Sequence, residues 1–549
     1  MTLAERDWDY VIVGGGTAGC ILANRLSADA RNRVLVLEAG SAPRSPWIRM
    51  PAGFVKLMNH PAYNWGFRTE PEPALNNRQI VVPRGRGLGG SSLINGMIYV
   101  RGQPEDYDSW GQFGARGWSY EDVLPYFRKL ESYAGGDPAI RGRSGPVSVV
   151  QVSETNPISD SFIRAAAEAG HPVNPDYNGA DQEGFGYYQV LQKQGRRWHM
   201  AEAYLDPAQN RPNLTILTGA EVTRLDLNGR RVVGASFLWQ GAATSVRARR
   251  EVILCAGAVQ SPQLLELSGI GDPRELARLQ VPVHHALPGV GANYQEHFAT
   301  RMNWRVTQPI TLNERTRGWH LGVAMGQYLL FRRGVLTLGT GLAHGFVRSR
   351  PEVERPDVQF FFVHASYPDA GNRKLDRKPG LTVGVTQLRP ESRGTIHARS
   401  ANHRDAPVIR PNFLDRETDR RVIVDGMKVA RHVIGQPAMQ PWVAGELTPG
   451  AEVASDSDWL SFARANGQSI YHPVGTCAMG SGPGAVVDER LRAHGLGGLR
   501  IVDASVMPLM PSANTQAAVM MIAEKASDMI LADARAAATA PAATRMETQ

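Results

Sequence analysis

The sequence has little cysteine. Its three cysteines, Cys20, Cys255 and Cys477, stand far apart, and no CxxC pair occurs among them. A disulfide scaffold needs several closely spaced pairs, and a zinc knuckle needs two ligands only a few residues apart. The spacing therefore excludes both architectures and predicts no metal site. It is typical of a protein that works in a reducing compartment.

Long apolar runs and blocks of one charge are also missing. No stretch has the apolar length of a membrane-spanning helix, and the first residues include acids where a secretory signal would be basic. We therefore expect a cytoplasmic protein without a transmembrane segment. The net charge is +8, but the arginines are scattered among acidic residues. This pattern predicts a solvated surface of mixed sign and no nucleic-acid partner.

A nucleotide-binding pattern stands near the start of the chain. Residues 9–13 form a short β-branched apolar run, which predicts a buried parallel strand. Gly14, Gly16 and Gly19 follow in a GxGxxG arrangement, and a helical pattern and a second strand ending at Glu38 come next. The glycines permit a tight turn, close approach of a pyrophosphate and close helix packing, and the carboxylate would accept ribose hydroxyls. The pattern predicts an ADP-containing cofactor, disfavours NADP, and does not separate FAD from NAD.

A second glycine-rich segment, residues 85–92, helps with that choice. Its backbone N–H groups are free of side-chain obstruction and Arg86 adds a guanidinium, a combination that suits an anion. Taken alone, a flexible loop explains the segment equally well. Two separate glycine-rich, anion-binding segments in one chain suit a long cofactor that is bound along its length, so we predict FAD.

Five segments together are similar to the glucose–methanol–choline (GMC) family of flavin oxidoreductases, and the resemblance extends along nearly the whole chain. They are residues 11–19 with Glu38, residues 85–95, residues 257–271, residues 471–476 and residues 502–515. Within the family, the chain looks similar to choline dehydrogenases, alcohol dehydrogenases and hydroxymethylfurfural-type oxidases. The resemblance implies oxidation of a primary alcohol, aromatic or aliphatic, to the aldehyde, with hydride transfer to flavin N5. A quinone-type acceptor or O2 would reoxidise the flavin, and a dehydrogenase is favoured over an oxidase.

The resemblance also implies a mixed α/β (α+β) fold with two domains. A Rossmann-like FAD-binding domain would be assembled from residues 1–155, 200–300 and 465–535. A substrate-binding domain, an antiparallel sheet backed by helices, would comprise residues 156–199 and 301–464. Residues 536–549 are biased toward Ala, Thr and Pro, and we expect a disordered tail there.

Alcohol oxidation requires a base near neutral pH, a role that histidine fills without a large pKa shift. Among fourteen histidines, His472 stands in a Tyr-His-Pro segment that matches the family's catalytic base. Asn514 matches the second polar position, where an amide can orient the substrate oxygen but cannot take a proton. A single histidine in a loop rich in Pro and Gly is more often structural than catalytic, and the match to the family reverses that preference for His472. Asn514 could also cap the helix predicted over 514–532, and its two roles are compatible.

The motif and the resemblance together predict the residues that contact FAD. They are Gly14, Gly16, Thr17, Ala18, Gly19, Glu38, Ala39, Arg86, Gly89, Gly90, Ser91, Asn95, Gly96, Met97, Val222, Ala256, Gly257, Asp503, Ala504, Asn514, Thr515 and Gln516. Some relatives carry a histidine joined covalently to FAD in the stretch that corresponds to residues 93–95. Here that stretch is Leu-Ile-Asn, so the resemblance implies a non-covalent cofactor.

Other functions and the substrate stay open at the level of sequence. Hydroxynitrile lyases and photodecarboxylases also resemble this family, and no residue pattern singles them out here. A non-catalytic nucleotide-binding module would not need His472 and Asn514 in their segments. Six aromatic residues could line a substrate pocket or pack in the core: Tyr63, Trp65, Phe360, Phe361, Phe362 and Tyr367. A choline-like cation would need an aromatic cage and a carboxylate, which the sequence does not locate.

Overall fold

The computed structural model describes residues 7–367 and 374–539. The strand Trp8–Val13, the helix Thr17–Leu26 and the strand Val34–Glu38 follow one another as predicted. Both strands are buried along their whole length and pair in parallel. Their apolar, largely branched side chains suit strands that are covered on both faces.

Five parallel strands form the centre of the first sheet. In spatial order they are Leu214–Thr218, Val34–Glu38, Trp8–Val13, Ala242–Leu254 and Leu499–Ile501. The long strand Ala242–Leu254 also pairs antiparallel with Arg231–Trp239, which in turn pairs with Glu221–Asn228. The strand order reverses beside Trp8–Val13, and doubly wound sheets bind ligands beyond the carboxyl ends of the strands at such a point.

The second sheet is antiparallel and lies in the middle of the chain. Its strands, in spatial order, are Val443–Thr448, Phe298–Val306, Gly380–Gln387, Val358–Val363, Ala343–Val347 and Gly184–Tyr187, with Gln468–Ser469 paired to Phe298–Val306. The helix Glu417–Ile434 packs on this sheet, with Pro157–Glu168 and Asp456–Asn466 beside it. A stacked pair, Phe162 and Phe362, joins the helix layer to the sheet, with ring centroids 4.3 Å apart. The predicted mixed fold, a Rossmann-like part and an antiparallel sheet backed by helices, is confirmed.

The strands of the first sheet fall within the three segments predicted for the FAD-binding domain. The strand Phe298–Val306 of the second sheet runs across the predicted limit at residue 300. The domain boundaries themselves stay a prediction.

Shorter elements connect the two sheets. A small sheet contains Glu131–Ser132, Val147–Gln151, Gln189–Lys193 and Arg196–Arg197. The other α-helices are Pro46–Arg49, Phe54–Leu57, Pro104–Asp108, Tyr120–Leu130, Gly257–Leu267, Pro273–Leu279, Leu312–Arg315 and Gly318–Phe331. Between residues 7–367 and 374–539, no helix is long and apolar enough to cross a bilayer.

The last helix, Gln516–Thr539, is longer than predicted. The expected tail is therefore wrong for residues 536–539, and residues 540–549 lie outside the described part of the chain. Alanine, abundant in this stretch, has the highest helix propensity. Asp533 also anchors the helix, since its carboxylate accepts hydrogen bonds from Arg490 and Arg500 at 2.5 Å.

Candidate active site

A cavity of about 340 Å³ lies beyond the carboxyl ends of the parallel strands, with the antiparallel sheet as its opposite wall. The predicted catalytic residues, His472 and Asn514, both line it. So do all the predicted cofactor-binding residues except Gly19, Arg86 and Gly89. Segments from both ends of the chain therefore meet around one space.

The three glycines of the GxGxxG motif have different local requirements. Gly14 adopts a φ of +102°, which favours glycine. A Cβ atom on Gly19 would lie 1.9 Å from the carbonyl oxygen of Gly14, so this residue serves helix packing rather than the cavity wall. A Cβ atom on Gly16 would meet no atom closer than 3.9 Å. Gly16 therefore leaves open backbone at the N-terminus of the helix Thr17–Leu26, where phosphates bind well.

The two glycine-rich segments join into one rim. The N–H of Gly89 donates to the carbonyl of Gly15 over 2.8 Å. A Cβ atom on Gly90, which has a φ of +54°, would lie 2.7 Å from the Cα of Gly16. Gly89 thus contributes by holding the rim together and does not itself line the cavity.

The Glu38 carboxylate connects the two segments. Its Oε2 accepts from the N–H of Gly15 over 2.8 Å, and its Oε1 accepts from Gly40 over 2.7 Å and from Gly87 over 3.0 Å. The side chain is 7% exposed and still lines the cavity. Glu38 therefore holds the backbone in place in addition to any contact with a ribose.

Arg86 points to the edge of the same region. Its guanidinium lies 4.6 Å from the ring centroid of Trp65, which lines the cavity. Its Nε atom is buried and has no hydrogen-bond partner among the described residues. An anionic group would satisfy that donor, but contact of Arg86 with the cofactor stays a prediction.

Asp503 lies at the junction of a strand and two helices. Its carboxylate accepts from the N–H of Gly257 over 2.8 Å, the hydroxyl of Ser261 over 2.6 Å and the N–H of Ser505 over 2.8 Å. Gly257 has a φ of +83°, and a Cβ atom there would meet nothing within 4 Å. Asp503 thus fixes a stretch of open backbone on the cavity wall.

His472 lies at the other end of the cavity, in contact with two side chains. Its Nδ1 is 3.0 Å from Nδ1 of His297, and its Nε2 is 3.2 Å from the Asn514 amide nitrogen. Its backbone N–H donates to Glu296 over 2.6 Å, which fixes the backbone of the base. The structure therefore brings together the two predicted catalytic residues and a second histidine that the sequence did not single out.

The protonation of this histidine pair follows from its partners. His297 Nε2 lies 3.0 Å from the carbonyl of Leu388, which can only accept, so Nε2 carries the proton. Burial lowers the pKa of His297 to about 4, so its ring is neutral and Nδ1 is an acceptor. His472 Nδ1 must then carry a proton, and His472 Nε2 keeps its lone pair. That lone pair accepts from Asn514 at the cavity wall.

The surroundings keep His472 neutral. Burial, followed by the neighbouring His297 and Arg84, holds the pKa of His472 well below its usual range. Both Arg84 and His472 line the cavity. The imidazole is therefore neutral at neutral pH, and its Nε2 is available as a base.

Two local features hold the catalytic side chains. Tyr471, directly before the base, adopts a φ of +75°, a strained conformation for a bulky residue and one often found at functional sites. The amide oxygen of Asn514 accepts from Gln359 over 3.2 Å. Both ends of this amide are thus engaged by side chains, and no capping bond to the helix Gln516–Thr539 is formed by it in the described residues.

The antiparallel sheet supplies an apolar and hydroxylic wall. Of the six aromatic residues considered from sequence, Trp65, Phe361 and Tyr367 line the cavity, whereas the other three are buried in the core: Tyr63, Phe360 and Phe362. Side chains alternate along a strand, so Phe361 lies on the cavity side of the sheet and Phe360 and Phe362 on the opposite, core side. Two cationic residues, Arg84 and Arg301, also line the cavity.

Carboxylates lie elsewhere in the cavity. The acidic residues on its wall, within the described chain, are Glu38, Glu221 and Asp503, and all three follow or begin strands of the first sheet. Glu38 and Asp503 belong to the predicted FAD contacts, and Glu221 directly precedes another of them, Val222.

Comparison with known proteins gives consistent matches over the chain. The model of the GMC oxidoreductase N-terminal domain matches residues 8–299, and that of the C-terminal domain matches residues 390–523. Alcohol dehydrogenase [acceptor] of Pseudomonas putida is 42% identical over 95% of this chain and 96% of its own. Choline dehydrogenase, mitochondrial, of Mus musculus is 42% identical over 96% of this chain and 90% of its own.

Solved structures show the same similarity. Pyridoxine 4-oxidase from Mesorbium loti superposes with a TM-score of 0.86 at 31% identity, covering 95% of this chain and 99% of that one. A fungal aryl-alcohol oxidase has a TM-score of 0.83 at 26% identity, covering 96% and 99%. The similarity therefore extends over the whole fold and both sheets.

Proposed function

The chain belongs to the GMC oxidoreductase family and is an FAD-dependent oxidoreductase of the alcohol-oxidising type, and from this premise we propose that it oxidises an uncharged primary alcohol to the aldehyde. In this proposal His472 accepts the hydroxyl proton and Asn514 orients the alcohol oxygen. The observation that carries it is the hydrogen-bond sequence from Leu388 through His297 to His472, which leaves the lone pair on Nε2 at the cavity.

The cavity residues fit FAD bound without a covalent bond. Open backbone at Gly16 and Gly257, a helix N-terminus at Thr17 and the unpartnered Nε of Arg86 all suit a long anionic cofactor. Residues 93–95 offer no histidine for covalent attachment. When bound, FAD supplies the acceptor for the hydride that leaves the substrate carbon.

The protein's part in the reaction is to take and hold a proton. The hydroxyl proton passes to His472 Nε2, the ring nitrogen that carries the lone pair, and replaces the hydrogen bond that Asn514 donates there. The amide N–H of Asn514, 3.2 Å from Nε2, then donates to the substrate oxygen and offsets its developing negative charge. As His472 becomes cationic, its Nδ1–H bond to neutral His297 becomes charge-assisted and therefore stronger. The histidine pair thus stabilises the imidazolium through a ring nitrogen, while the Glu296 side chain holds the backbone of His472.

The charges on the cavity wall support an uncharged substrate. A quaternary ammonium would require a carboxylate or an aromatic cage close to its charge. Here the cavity wall presents Arg301 from the antiparallel sheet and Arg84 beside His472, while its acids lie among or next to the predicted FAD contacts. Phe361 and Tyr367 suit an aliphatic or aromatic side chain. We therefore propose that choline is a poor substrate, in spite of the similarity to proteins named choline dehydrogenase.

For reoxidation we propose a quinone-type acceptor in preference to O2. One relative is named alcohol dehydrogenase [acceptor], which supports this choice, although others are named oxygen-dependent choline dehydrogenases. The distinction is testable, because reduction of O2 produces peroxide whereas reduction of a quinone does not.

The test is anaerobic mixing of the flavin-loaded protein with a panel of primary alcohols and choline, followed by its visible absorbance. Bleaching by an aliphatic or aromatic alcohol is the expected result, and readmission of O2 with and without a quinone then identifies the acceptor from the peroxide formed. A flavin that no alcohol bleaches would contradict the proposal and favour a non-redox enzyme of the hydroxynitrile lyase or photodecarboxylase type. Strong preference for choline would contradict the substrate class alone.

A further inference from the structure

The helix Gly318–Phe331, called the surface helix below, exposes most of its circumference. It has 14 residues and contains no Asp, Glu, Lys or Arg. Only Ala324 and Tyr328, one turn apart, are buried. Among the thirteen exposed large apolar side chains of the described residues, six lie on this helix: Trp319, Leu321, Val323, Leu329, Leu330 and Phe331.

The degree of exposure is high. Trp319 is 71% exposed, Leu330 76% and Phe331 67%. An apolar segment of this length is ordinarily a core helix or a segment that lies at a membrane interface. Burial in the core is excluded by these exposures. The helix is about 21 Å long at 1.5 Å per residue, too short to cross a bilayer but suited to lie in its surface.

The charged residues that flank the surface helix in the sequence are arginines, and the nearby Glu154 is engaged by the N–H of Gly334 over 2.7 Å. Arg315 and Arg317 precede it and Arg332 and Arg333 follow it, and the sequence has no Asp or Glu between residues 315 and 351. Arg315 and Arg333 are exposed, whereas the Arg317 guanidinium donates to the carbonyl of Leu375 and that of Arg332 lies 5.1 Å from the Tyr328 ring centroid. Arginines at both ends of an apolar helix are complementary to anionic lipid headgroups above an acyl layer.

A second copy of this chain is a poorer partner for the same surface. A two-fold contact between two surface helices would bring the four arginines of one copy close to those of the other, in either direction. Repulsion between like charges would then oppose the apolar contact. An anionic bilayer satisfies both the apolar residues and the arginines.

We propose that the surface helix docks this protein onto an anionic membrane, with its apolar residues in the headgroup boundary and its arginines on lipid phosphates. This goes beyond the proposed oxidation, which does not require a membrane. The Tyr328 hydroxyl donates to the carbonyl of Arg49 over 3.2 Å, and the segment after Arg49 carries Phe54 and Met58 on the cavity wall. In the other direction, the chain runs from the surface helix to Thr340, also on that wall. Docking would therefore place the cavity near molecules dissolved in lipid.

The test is flotation of the full-length, flavin-loaded protein with vesicles of phosphatidylcholine alone or mixed with phosphatidylglycerol, at low and high salt. We expect at least about tenfold tighter binding to the phosphatidylglycerol vesicles at low salt, because each arginine near an anionic surface contributes. Leu330→Glu and Phe331→Glu should each weaken that binding about tenfold or more, by loss of apolar burial. Arg333→Gln should weaken it about fivefold.

The matched control is Val173→Glu, which places the same charge at a 57% exposed valine elsewhere on the surface. It should bind vesicles like the unchanged protein. Light scattering and alcohol oxidation with a water-soluble acceptor show that each variant is folded, and vesicle binding can be scored whether or not the protein turns over. Absence of vesicle binding, or an equal loss in the control, would overturn the proposal. A dimer that Leu330→Glu dissociates, without vesicle binding, would instead identify the helix as a self-association surface.

Discussion

The Nδ1 atoms of His297 and His472 lie 3.0 Å apart, and this contact fixes which atom of His472 is basic. Only one proton can lie between two ring nitrogens. Because the single proton of neutral His297 is committed to Leu388, that shared proton belongs to His472. The two histidines are 175 positions apart in the sequence, which explains why sequence patterns do not reveal the pair.

Replacing His472 by alanine should lower kcat by at least about 100-fold, because the general base is lost. FAD should stay bound, since the nucleotide end of the cavity is untouched. Turnover is measured with an artificial acceptor, and bound flavin from its visible absorbance. His432→Ala, an exposed histidine on the helix Glu417–Ile434, is the control. Turnover of His472→Ala close to that of the control would refute the role of the base.

His297 is predicted to be a positioning residue. His297→Leu should lower kcat by about 10- to 100-fold with a smaller change in KM, because His472 loses the acceptor that fixes its tautomer. In His297→Gln the amide can accept from His472 and donate to Leu388, so this variant should recover part of kcat. Equal defects in both variants, or a matching loss of folded protein, would indicate that His297 only fills space.

Arg84 should set the acid limit of activity. Neutral His472 is the active form, and its pKa lies below the usual value of about 6.5, so kcat/KM should persist as the pH falls below that value. Arg84→Gln removes a neighbouring positive charge, which raises the pKa of His472 and moves the acid limb of the pH profile upward. Arg84→Lys retains the charge and should leave the limb in place. An unshifted limb in Arg84→Gln would exclude this electrostatic effect.

Glu38 should affect cofactor retention and stability together. Glu38→Ala leaves the N–H groups of Gly15, Gly40 and Gly87 without their acceptor, at a cost of about 1–3 kcal/mol for each unsatisfied buried group. Flavin occupancy and Tm should both fall, whereas kcat per bound flavin should change little. Glu221→Gln, at another cavity acid, is the comparison. Unchanged occupancy in Glu38→Ala would argue against both roles of this carboxylate.

The cofactor should leave the protein on denaturation. Precipitation with acid is expected to release the flavin into the supernatant, because residues 93–95 contain no histidine to attach it. The measurement is the absorbance of pellet and supernatant. A yellow pellet would show a covalent bond at some other residue.

The parallel strands were predictable from short apolar, β-branched runs such as residues 9–13 and 34–37. Such runs are typical of strands in a parallel sheet that is buried on both faces. The contact between Gly16 and Gly90 was not, because it joins two loops about seventy residues apart through backbone alone. The helix beyond residue 532 was missed since alanine-rich composition resembles that of a frayed end. Its anchor, Asp533, pairs with Arg490 and Arg500 only in the folded chain.

His297 shows what motif reasoning leaves out. The residue lies directly before the strand Phe298–Val306, and Leu388 directly follows the strand Gly380–Gln387, with which that strand pairs. A search for histidines next to strand ends would have identified His297 as a candidate. Its partner Leu388 could not be identified without the register of the antiparallel sheet. The catalytic residues identified from the GMC resemblance, His472 and Asn514, needed no such information.

The position of the strand Leu499–Ile501 beside Ala242–Leu254 also has a consequence for biosynthesis. A nascent chain still on the ribosome before residue 499 lacks the fifth parallel strand, and with it Asp503 and Asn514 on the cavity wall. About nine tenths of the molecule can therefore be translated while the FAD site is still open along one side. Stable capture of the flavin therefore has to wait for the last tenth of the chain, and a chain that ends before residue 499 should not retain it.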